Sequence, residues 1–205
     1  MTTRLGRPPG AHDDTIARLL PAALRLFLEE GGGALTPTRL AAETGMSRAT
    51  LYRNWPERED LVALLLERAT LPPGDVSRSD DWRRDLEAHM LSLAERLRAK
   101  PARAFFAACL SYGQRSERAR QAAQDFINGI LIGVSECIEA GIRAGELHGE
   151  AAHLTSLVAG PLMLRHVLLG QSVNDQEVRT DVRSFLHAAA PTPSRHDLRS
   201  KVDNR

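Results

Sequence analysis

Residues 36 to 61, TPTRLAAETGMSRATLYRNWPEREDL, constrain the fold of this chain more than any other stretch. Thr36 can cap a helix, and Pro37 suits the first helical position, where its missing N–H costs nothing. Gly45 can adopt the left-handed conformation that ends this helix, and Ser47 can cap a second helix after a turn of about three residues. The pattern therefore predicts two short helices joined by a tight turn.

The second helix, predicted from Arg48 to about Asn54, is too short to persist alone in water, so packing through Met46, Leu51 and Trp55 must hold it. The side chains on its other face are those of Arg48, Ala49, Thr50, Tyr52 and Arg53. They present guanidinium, methyl, hydroxyl and phenol groups on a helix slim enough to enter a major groove. Two alternatives remain open here, because the aromatic residues could be core and the arginines could be solvated surface.

The segment GMSRATLYRNWPEREDLV resembles the second half of the DNA-binding domain of the tetracycline-repressor (TetR) family of bacterial transcription regulators. The similarity rests on the core G-x-S-x-x-T-L-Y-R, on the aromatic residue at Trp55 and on the basic residue at Arg58, and it extends over roughly residues 13 to 70. The resemblance implies a helix-turn-helix unit whose second helix reads DNA.

Particular contacts follow from the resemblance. The start of the recognition helix would read bases through Arg48 and Ala49. Tyr52 and Arg53 would lie in or near the groove. Phosphate contacts would come from Thr36, Thr50, Asn54 and Arg58. The same surface includes Ser47, with Thr38 and Arg39 as additional candidate readers.

The chain departs from the family pattern at two places. Gly31, Gly32 and Gly33 stand where the family has an aromatic residue, which predicts looser packing between the first helix and the reader. Pro21 interrupts the first helix and predicts a kink, because it removes one intrahelical hydrogen bond. Asp13 or Asp14 is predicted to cap this helix. Its predicted core stripe consists of Ile16, Leu19, Leu20, Ala23, Leu24, Phe27 and Leu28.

The composition favours an all-α protein. Of the 205 residues 42% are hydrophobic, and no alternating strand pattern of useful length occurs. The 27 basic residues nearly balance the 26 acidic ones, so any contact with DNA must be local. The longest apolar run, residues 157 to 164, is too short to span a bilayer, and no leader is expected. A cytoplasmic protein without membrane contact is expected.

Enzymatic chemistry has little support in the sequence. The seven histidines and two cysteines show no metal-binding spacing, and Cys109 and Cys137 are expected to be reduced, buried thiols. Neither a phosphate-binding glycine loop nor a G-x-S-x-G elbow is present. We therefore expect no enzymatic activity, no metal and no cofactor.

The predicted organisation has about nine helices in two domains. Its parts are a disordered basic arm over residues 1–12, a three-helix helix-turn-helix domain over 13–70, a linker over 71–80, a helical ligand-binding and dimerisation domain over 81–190, and a disordered tail over 191–205. Arg4 and Arg7 in the arm could lie in an adjacent minor groove or could simply be solvated.

Two sets of residues are predicted functional sites of the second domain. A mostly apolar ligand pocket could be lined by Met90, Phe105, Phe106, Cys109, Tyr112, Phe126, Ile130 and Met163, although each residue fits a plain core position as well. In TetR-like proteins the last two helices of two subunits form a four-helix bundle. A dimer interface is therefore predicted at Leu154, Leu157, Val158, Leu162, Val178, Val182, Phe185 and Leu186. Gly160 and Pro161 are predicted to break or bend the first of these helices.

The sequence thus predicts a homodimeric regulator of the TetR type, usually a repressor, which binds double-stranded DNA at a palindromic operator. An unidentified small hydrophobic effector would release it. The alternative is a helical carrier or protein-binding module that does not bind an operator.

Overall fold

The computed structural model describes residues 11–68, 76 and 78–189. Within these residues the chain forms nine α-helices and no strand, which confirms the predicted all-α class. The helices are α1 (Ala11–Glu30), α2 (Pro37–Thr44), α3 (Arg48–Asn54), α4 (Arg58–Arg68), α5 (Trp82–Arg98), α6 (Lys100–Tyr112), α7 (Glu117–Arg143), α8 (Ala151–Met163) and α9 (Asp175–Ala189). The predicted arm with Arg4 and Arg7, most of the linker and the tail lie outside the described residues.

The chain divides into two compact units. The first contains the described residues up to 68 together with 100–128, and the second contains 76–99 together with 129–189. Residues 100–128, which were predicted to belong to the second domain, thus pack with the helix-turn-helix segment. The functional division between the two domains stays a prediction.

Helix α1 buries one apolar stripe in the first unit. Ile16, Leu19, Ala23 and Phe27 are buried, as predicted. Leu24 and Leu28 were predicted to be core but are 36% and 40% exposed, and Leu26 is fully buried in their place. The buried stripe is therefore rotated by part of a turn from the predicted one.

The start and middle of α1 also differ from expectation. Asp13 and Asp14 lie inside the first turn instead of preceding the helix as caps. Their negative charges there interact favourably with the positive end of the helix dipole. The helix continues through Pro21. Pro21 is on the exposed side of α1, so water can satisfy the carbonyl group that the missing N–H leaves unpaired.

Aromatic side chains of α6 and α7 complete the core of the first unit. Phe105 stacks at 5.3 Å from Phe27 and at 5.6 Å from Phe126, which also contacts Phe106 at 5.7 Å. The Tyr112 ring packs on Gly32 so closely that a Cβ there would lie 2.7 Å from Tyr112 Cε2. The looser packing predicted for the three glycines is therefore absent at Gly32, because the Tyr112 ring fills the space that a side chain at this position would occupy.

In the second unit α9 packs against α5 and α8. The α5 residues Leu86, Met90, Leu93 and Leu97 are fully buried. Six residues of the predicted dimer interface are buried within this single chain: Leu154, Val158, Leu162, Val178, Val182 and Phe185. That prediction is wrong for these six, because side chains that already form the core of one protomer have no surface left for a partner.

Helix α8 continues through Pro161 and passes into a π-helical turn, Leu164–Leu168. His166 in this turn is buried, with Nε2 at 2.8 Å from the Leu97 carbonyl oxygen and Nδ1 at 3.1 Å from that of Gln171. The imidazole thereby connects the π turn to the end of α5. The predicted break at Gly160 and Pro161 is therefore absent, and the α-helical hydrogen-bond pattern changes to the π pattern only after Met163.

The start of α5 is fixed by a buried carboxylate. Asp85 accepts hydrogen bonds from the backbone N–H of Ser79 at 2.9 Å and from its hydroxyl at 2.7 Å. These bonds lower the pKa of Asp85, because they favour its charged form. The native carboxylate therefore stabilises the fold above the unfolded-state pKa of about 3.9, and this contribution is lost as the pH falls through the lower native pKa.

We expect Asp85→Asn to lower the free energy of unfolding at pH 7 by roughly 1.5–3 kcal/mol, the value of a hydrogen bond to a charged group. The difference from the unmodified protein should shrink below about pH 4. Urea unfolding at several pH values measures it, with Asp80→Asn as an exposed control on the same segment. A difference that is constant from pH 7 to pH 3.5 would contradict the role of the charge.

Candidate nucleic-acid interface

The turn between α2 and α3 has the local geometry that the sequence predicts. The Thr36 Oγ accepts from the Arg39 backbone N–H at 3.2 Å, and Pro37 is the first residue of α2. Gly45 ends α2 in the left-handed region with φ 67°. The Ser47 Oγ accepts from the Thr50 N–H at 3.1 Å and so caps α3. These predictions are confirmed.

Helix α3 has only seven residues and is held by the packing of its inner face. Leu51 is fully buried, Trp55 is 1% exposed, and Met46 is 9% exposed. The core alternative for Trp55 is therefore correct. This anchoring leaves the opposite face of α3 toward solvent.

That outer face is basic and carries no acid. Arg48, Ala49 and Arg53 are exposed, and Tyr52 is 48% exposed, which excludes a core position for its ring. The sequence of α3, RATLYRN, contains no carboxylate, and neither arginine forms an ion pair with any residue that the structure describes. The guanidinium groups of α3 are thus available to an external anion.

Hydroxyl contacts that sequence reasoning did not anticipate fix the polar groups of this face. Tyr52 OH lies 3.1 Å from Thr38 Oγ1, so the phenol of α3 is joined to the start of α2. Ser47 Oγ lies 2.8 Å from Thr50 Oγ1. Both pairs orient donors and acceptors on one surface before any partner binds, which lowers the entropy that binding must overcome.

Arg39 differs from the arginines of α3. Its guanidinium lies 3.0 Å from a Glu30 carboxylate oxygen and 3.4 Å from one of Glu43, which also pairs with Arg25. These exposed pairs contribute little stability, but they compensate the charge of Arg39. Among the described candidate arginines, Arg39 is therefore the one whose charge is paired within the chain, and its contact with DNA stays a prediction.

The remaining candidates lie at helix ends. Arg58 is the first residue of α4 and is half-buried, and its Nε is shielded from solvent without a hydrogen-bond partner among the described residues. A shielded donor of this kind is costly unless a further acceptor reaches it. Asn54 donates from Nδ2 to the Thr50 carbonyl oxygen at 2.9 Å, which orients its amide at the end of α3.

The eight predicted pocket residues are distributed over both units. Met90, Ile130 and Met163 belong to the second unit, and the others belong to the first. All are buried except Met163, which is half-buried. A pocket lined by all eight stays a prediction.

The described residues give no sign of other chemistry. Cys109 and Cys137 are free and buried, and burial raises the pKa of each thiol to about 11, so both are protonated at neutral pH. In the same part of the chain no three His, Cys, Asp or Glu side chains lie close enough together to hold a metal ion. None of the helices described is both long and apolar enough to cross a membrane.

Two family models match the chain. Residues 19–65 match the model described as "Bacterial regulatory proteins, tetR family", and residues 76–191 match "Tetracyclin repressor-like, C-terminal domain". The second match alone covers more than half of the chain, and the first contains α2, α3 and the turn between them.

Individual proteins agree with the models. YdeS of Bacillus subtilis, an uncharacterised HTH-type transcriptional regulator, is 29% identical over 204 residues, which are 97% of this chain and 100% of YdeS. A TetR regulator from Agrobacterium tumefaciens has the same fold, with a TM-score of 0.67 at 22% identity over 92% of this chain and 98% of its own. A regulator from Saccharomonospora viridis, solved in complex with choline, shares the fold at a TM-score of 0.61 and 17% identity over 87% of this chain and 98% of its own. The chain therefore belongs to the TetR family of helix-turn-helix transcriptional regulators, which are not enzymes.

Proposed function

We propose that this protein is a homodimeric repressor that binds a near-palindromic operator and is released by a small organic ligand. The observation that carries the proposal is the outer face of α3, where Arg48 and Arg53 project without a carboxylate partner in the described chain beside a phenol held by Thr38. A carrier or protein-binding module has no need for such a face. The description "Tetracyclin repressor-like" of the matched family model favours repression over activation.

Each side chain of this interface has a proposed task. Arg48 and Ala49, at the exposed start of α3, read base edges in the major groove, a guanine through the guanidinium and a thymine methyl through the alanine. Tyr52 and Arg53 contact the groove wall. Arg58, Thr50, Asn54 and Thr36 bind phosphates. The cytoplasm, where bacterial DNA lies, is the proposed location.

The dimer interface is proposed to be an exposed apolar stripe of α8 and the π turn. Leu157, Pro161, Leu164 and Leu168 follow one another at steps of four, three and four residues, so they share one side of the helix. The three leucines are 51%, 50% and 59% exposed. An apolar stripe of this kind is typical of a surface that a second copy covers.

Release of the repressor from its operator requires a ligand that binds two arrangements of the dimer with different affinities. Two recognition helices must lie about 34–36 Å apart to enter successive major grooves. A ligand that prefers a dimer with another spacing therefore lowers operator affinity without touching DNA. Choline in the Saccharomonospora viridis regulator is an example of a small organic molecule bound by a protein of this fold.

The test is a gel shift with the DNA that flanks the gene, at two salt concentrations and with random duplex as competitor. We expect retarded DNA that survives the competitor and weakens as salt rises. Equal affinity for flanking and random DNA, or no retardation, would favour the binding-module alternative.

A double variant, Leu157→Glu with Leu164→Glu, tests the interface. Four carboxylates facing one another across the twofold axis should leave the protein monomeric by light scattering. Operator affinity should fall by roughly 100-fold or more, because the two half-sites no longer bind as one unit. Leu110→Glu, which changes a 60% exposed leucine of α6, is the matched control and should remain dimeric. A double variant that is still a dimer would move the interface elsewhere.

A further inference from the structure

The hydroxyl contact between Tyr52 and Thr38 joins the two short helices on their solvent side. Thr38 is the second residue of α2, and Tyr52 is the fifth residue of α3. Their oxygens are 3.1 Å apart although the residues are fourteen positions apart in the chain, and either hydroxyl can be the donor. The contact therefore exists only because the turn brings the start of α2 beside the middle of α3.

The fold of the two helices does not depend on this contact. Leu40 of α2 and Leu51 of α3 are fully buried, and they belong to the core that holds the helices. Thr38 and Tyr52 are both exposed, so water can satisfy either hydroxyl when the other is missing. A bond of this kind contributes little to stability, which leaves the organisation of the outer surface as its role.

The contact restricts the phenol ring. A tyrosine on the outer face of a helix can occupy more than one staggered rotamer, because solvent surrounds much of its ring. Tyr52 is 48% exposed, so neighbouring atoms hold its ring only in part. A hydrogen bond from another helix favours the one rotamer in which the two oxygens meet. The entropy of ordering this side chain is then lost when the chain folds and not when it binds a partner.

The additional candidate readers on α2 have partners within the chain, and the arginines of α3 do not. Thr38 contacts Tyr52, and the guanidinium of Arg39 pairs with two carboxylates. Arg48 and Arg53 form no ion pair with any residue that the structure describes. The polar side chains of α2 are thus engaged with their own unit, whereas α3 presents its arginines to an external anion.

We propose that Thr38 is a positioning residue of the DNA interface: its hydroxyl holds the Tyr52 phenol in the orientation that fits the groove wall, and it does not read a base itself. A groove wall consists of sugar and phosphate, which are the same at every base pair. Loss of the Thr38 hydroxyl therefore lowers affinity for the operator and for its single-base variants by the same factor. This inference rests on the proposed function, since it assigns the way in which one residue of the recognition surface acts.

The test is a double-mutant cycle on the affinity for the DNA that flanks the gene, measured by fluorescence anisotropy on the full-length protein. Thr38→Val removes one hydroxyl but keeps the shape of the side chain, and Tyr52→Phe removes the other hydroxyl. We expect Thr38→Val to lower affinity about three- to tenfold, the value of one neutral hydrogen bond, and to have no further effect in a Tyr52→Phe background. An equal loss in both backgrounds would overturn the proposal, because Thr38 would then act without Tyr52.

Two substitutions serve as controls. Thr38→Ser keeps the hydroxyl and should retain the affinity within about twofold. Thr180→Val removes the hydroxyl of an exposed threonine of α9, which donates to the Gln176 carbonyl oxygen at 2.8 Å, and should leave DNA binding unchanged. The assigned role would be contradicted by a Thr38→Ser or Thr180→Val protein that binds as weakly as Thr38→Val. A loss confined to one base pair of the operator in Thr38→Val would identify Thr38 as a direct reader and contradict it as well.

Tyrosine NMR without DNA tests the contact itself. The chain has two tyrosines, and Tyr112 is buried, so its signal is an internal reference. In protein labelled with 13C at Cζ of tyrosine, Thr38→Val should shift the Tyr52 signal and leave that of Tyr112 in place. An unchanged Tyr52 signal would mean that the two hydroxyls do not interact, and the proposal would fall.

Stability and the DNA binding of the unmodified protein separate the remaining outcomes. Thr38→Val should have the same denaturation midpoint as the unmodified protein, and a clearly lower midpoint would make the contact part of the fold and overturn its assigned role. If the unmodified protein does not bind the flanking DNA, the proposed function and this inference fail together. If it binds and Thr38→Val binds equally well, only this inference fails.

Discussion

Replacing Trp55 with alanine is expected to destabilise the first unit by about 3–5 kcal/mol and to abolish operator binding. Trp55 is 1% exposed, and together with Leu51 it anchors a helix of seven residues. A helix of this length has no stability of its own in water, so removing the indole leaves both a cavity and an unheld recognition helix. Thermal and urea unfolding measure the first effect, and the gel shift measures the second.

Tyr52→Ala is the matched control for this variant. Tyr52 is an aromatic residue of the same helix but is 48% exposed, with its hydroxyl bonded to Thr38 at 3.1 Å. We expect its loss to change stability by less than about 1 kcal/mol and yet to weaken DNA binding. A Trp55→Ala protein that is as stable as Tyr52→Ala and still binds the operator would refute the account of how α3 is held.

Arg48→Ala is expected to lower operator affinity by roughly 1–3 kcal/mol while leaving affinity for random duplex nearly unchanged, if Arg48 reads a guanine. The reason is that Arg48 projects from the exposed start of α3, where a recognition helix contacts base edges. Titration of operator, of single-base operator variants and of random DNA measures the change. The loss of preference should appear at one position of each half-site.

Arg58→Ala should behave differently. Its half-buried guanidinium at the start of α4 is assigned to a phosphate, so its removal should weaken all sequences alike and reduce the slope of log affinity against log salt by about one. Arg68→Ala, at an exposed arginine of α4, is the control for a general loss of charge. Equal losses on operator and random DNA for Arg48→Ala would remove Arg48 from the base readers.

The recognition unit was predictable because every signal in it is local. The caps at Thr36 and Ser47 and the left-handed glycine at Gly45 act within four residues of where they stand, so their outcome hardly depends on the rest of the chain. The pairing of Tyr52 with Thr38 was not predictable, because it depends on the angle between two helices. The charge compensation of Arg39 likewise requires an acid nine residues earlier to face it.

The surface proposed for the dimer shows where local reasoning fails. Val158 and Leu157 are adjacent and equally apolar, yet the first is 1% exposed and the second 51%. Helical spacing indicates only that a helix has an apolar face. Helix α8 has two such faces, one that packs in the protomer core and one that is exposed. Only the position of the neighbouring helices distinguishes the core face from the face that is left for a partner.

By itself the sequence determined the helical class, the two short helices with their turn, the buried anchor at Trp55 and the exposed arginines of α3. All of these follow from backbone preferences and from periodicity within one or two turns. The tertiary structure decided which apolar stripes become core, that Tyr112 fills the space over Gly32, and that Thr38 meets Tyr52 across two helices. These depend on contacts between residues far apart in the chain, which the packing of whole helices sets and which no local pattern records.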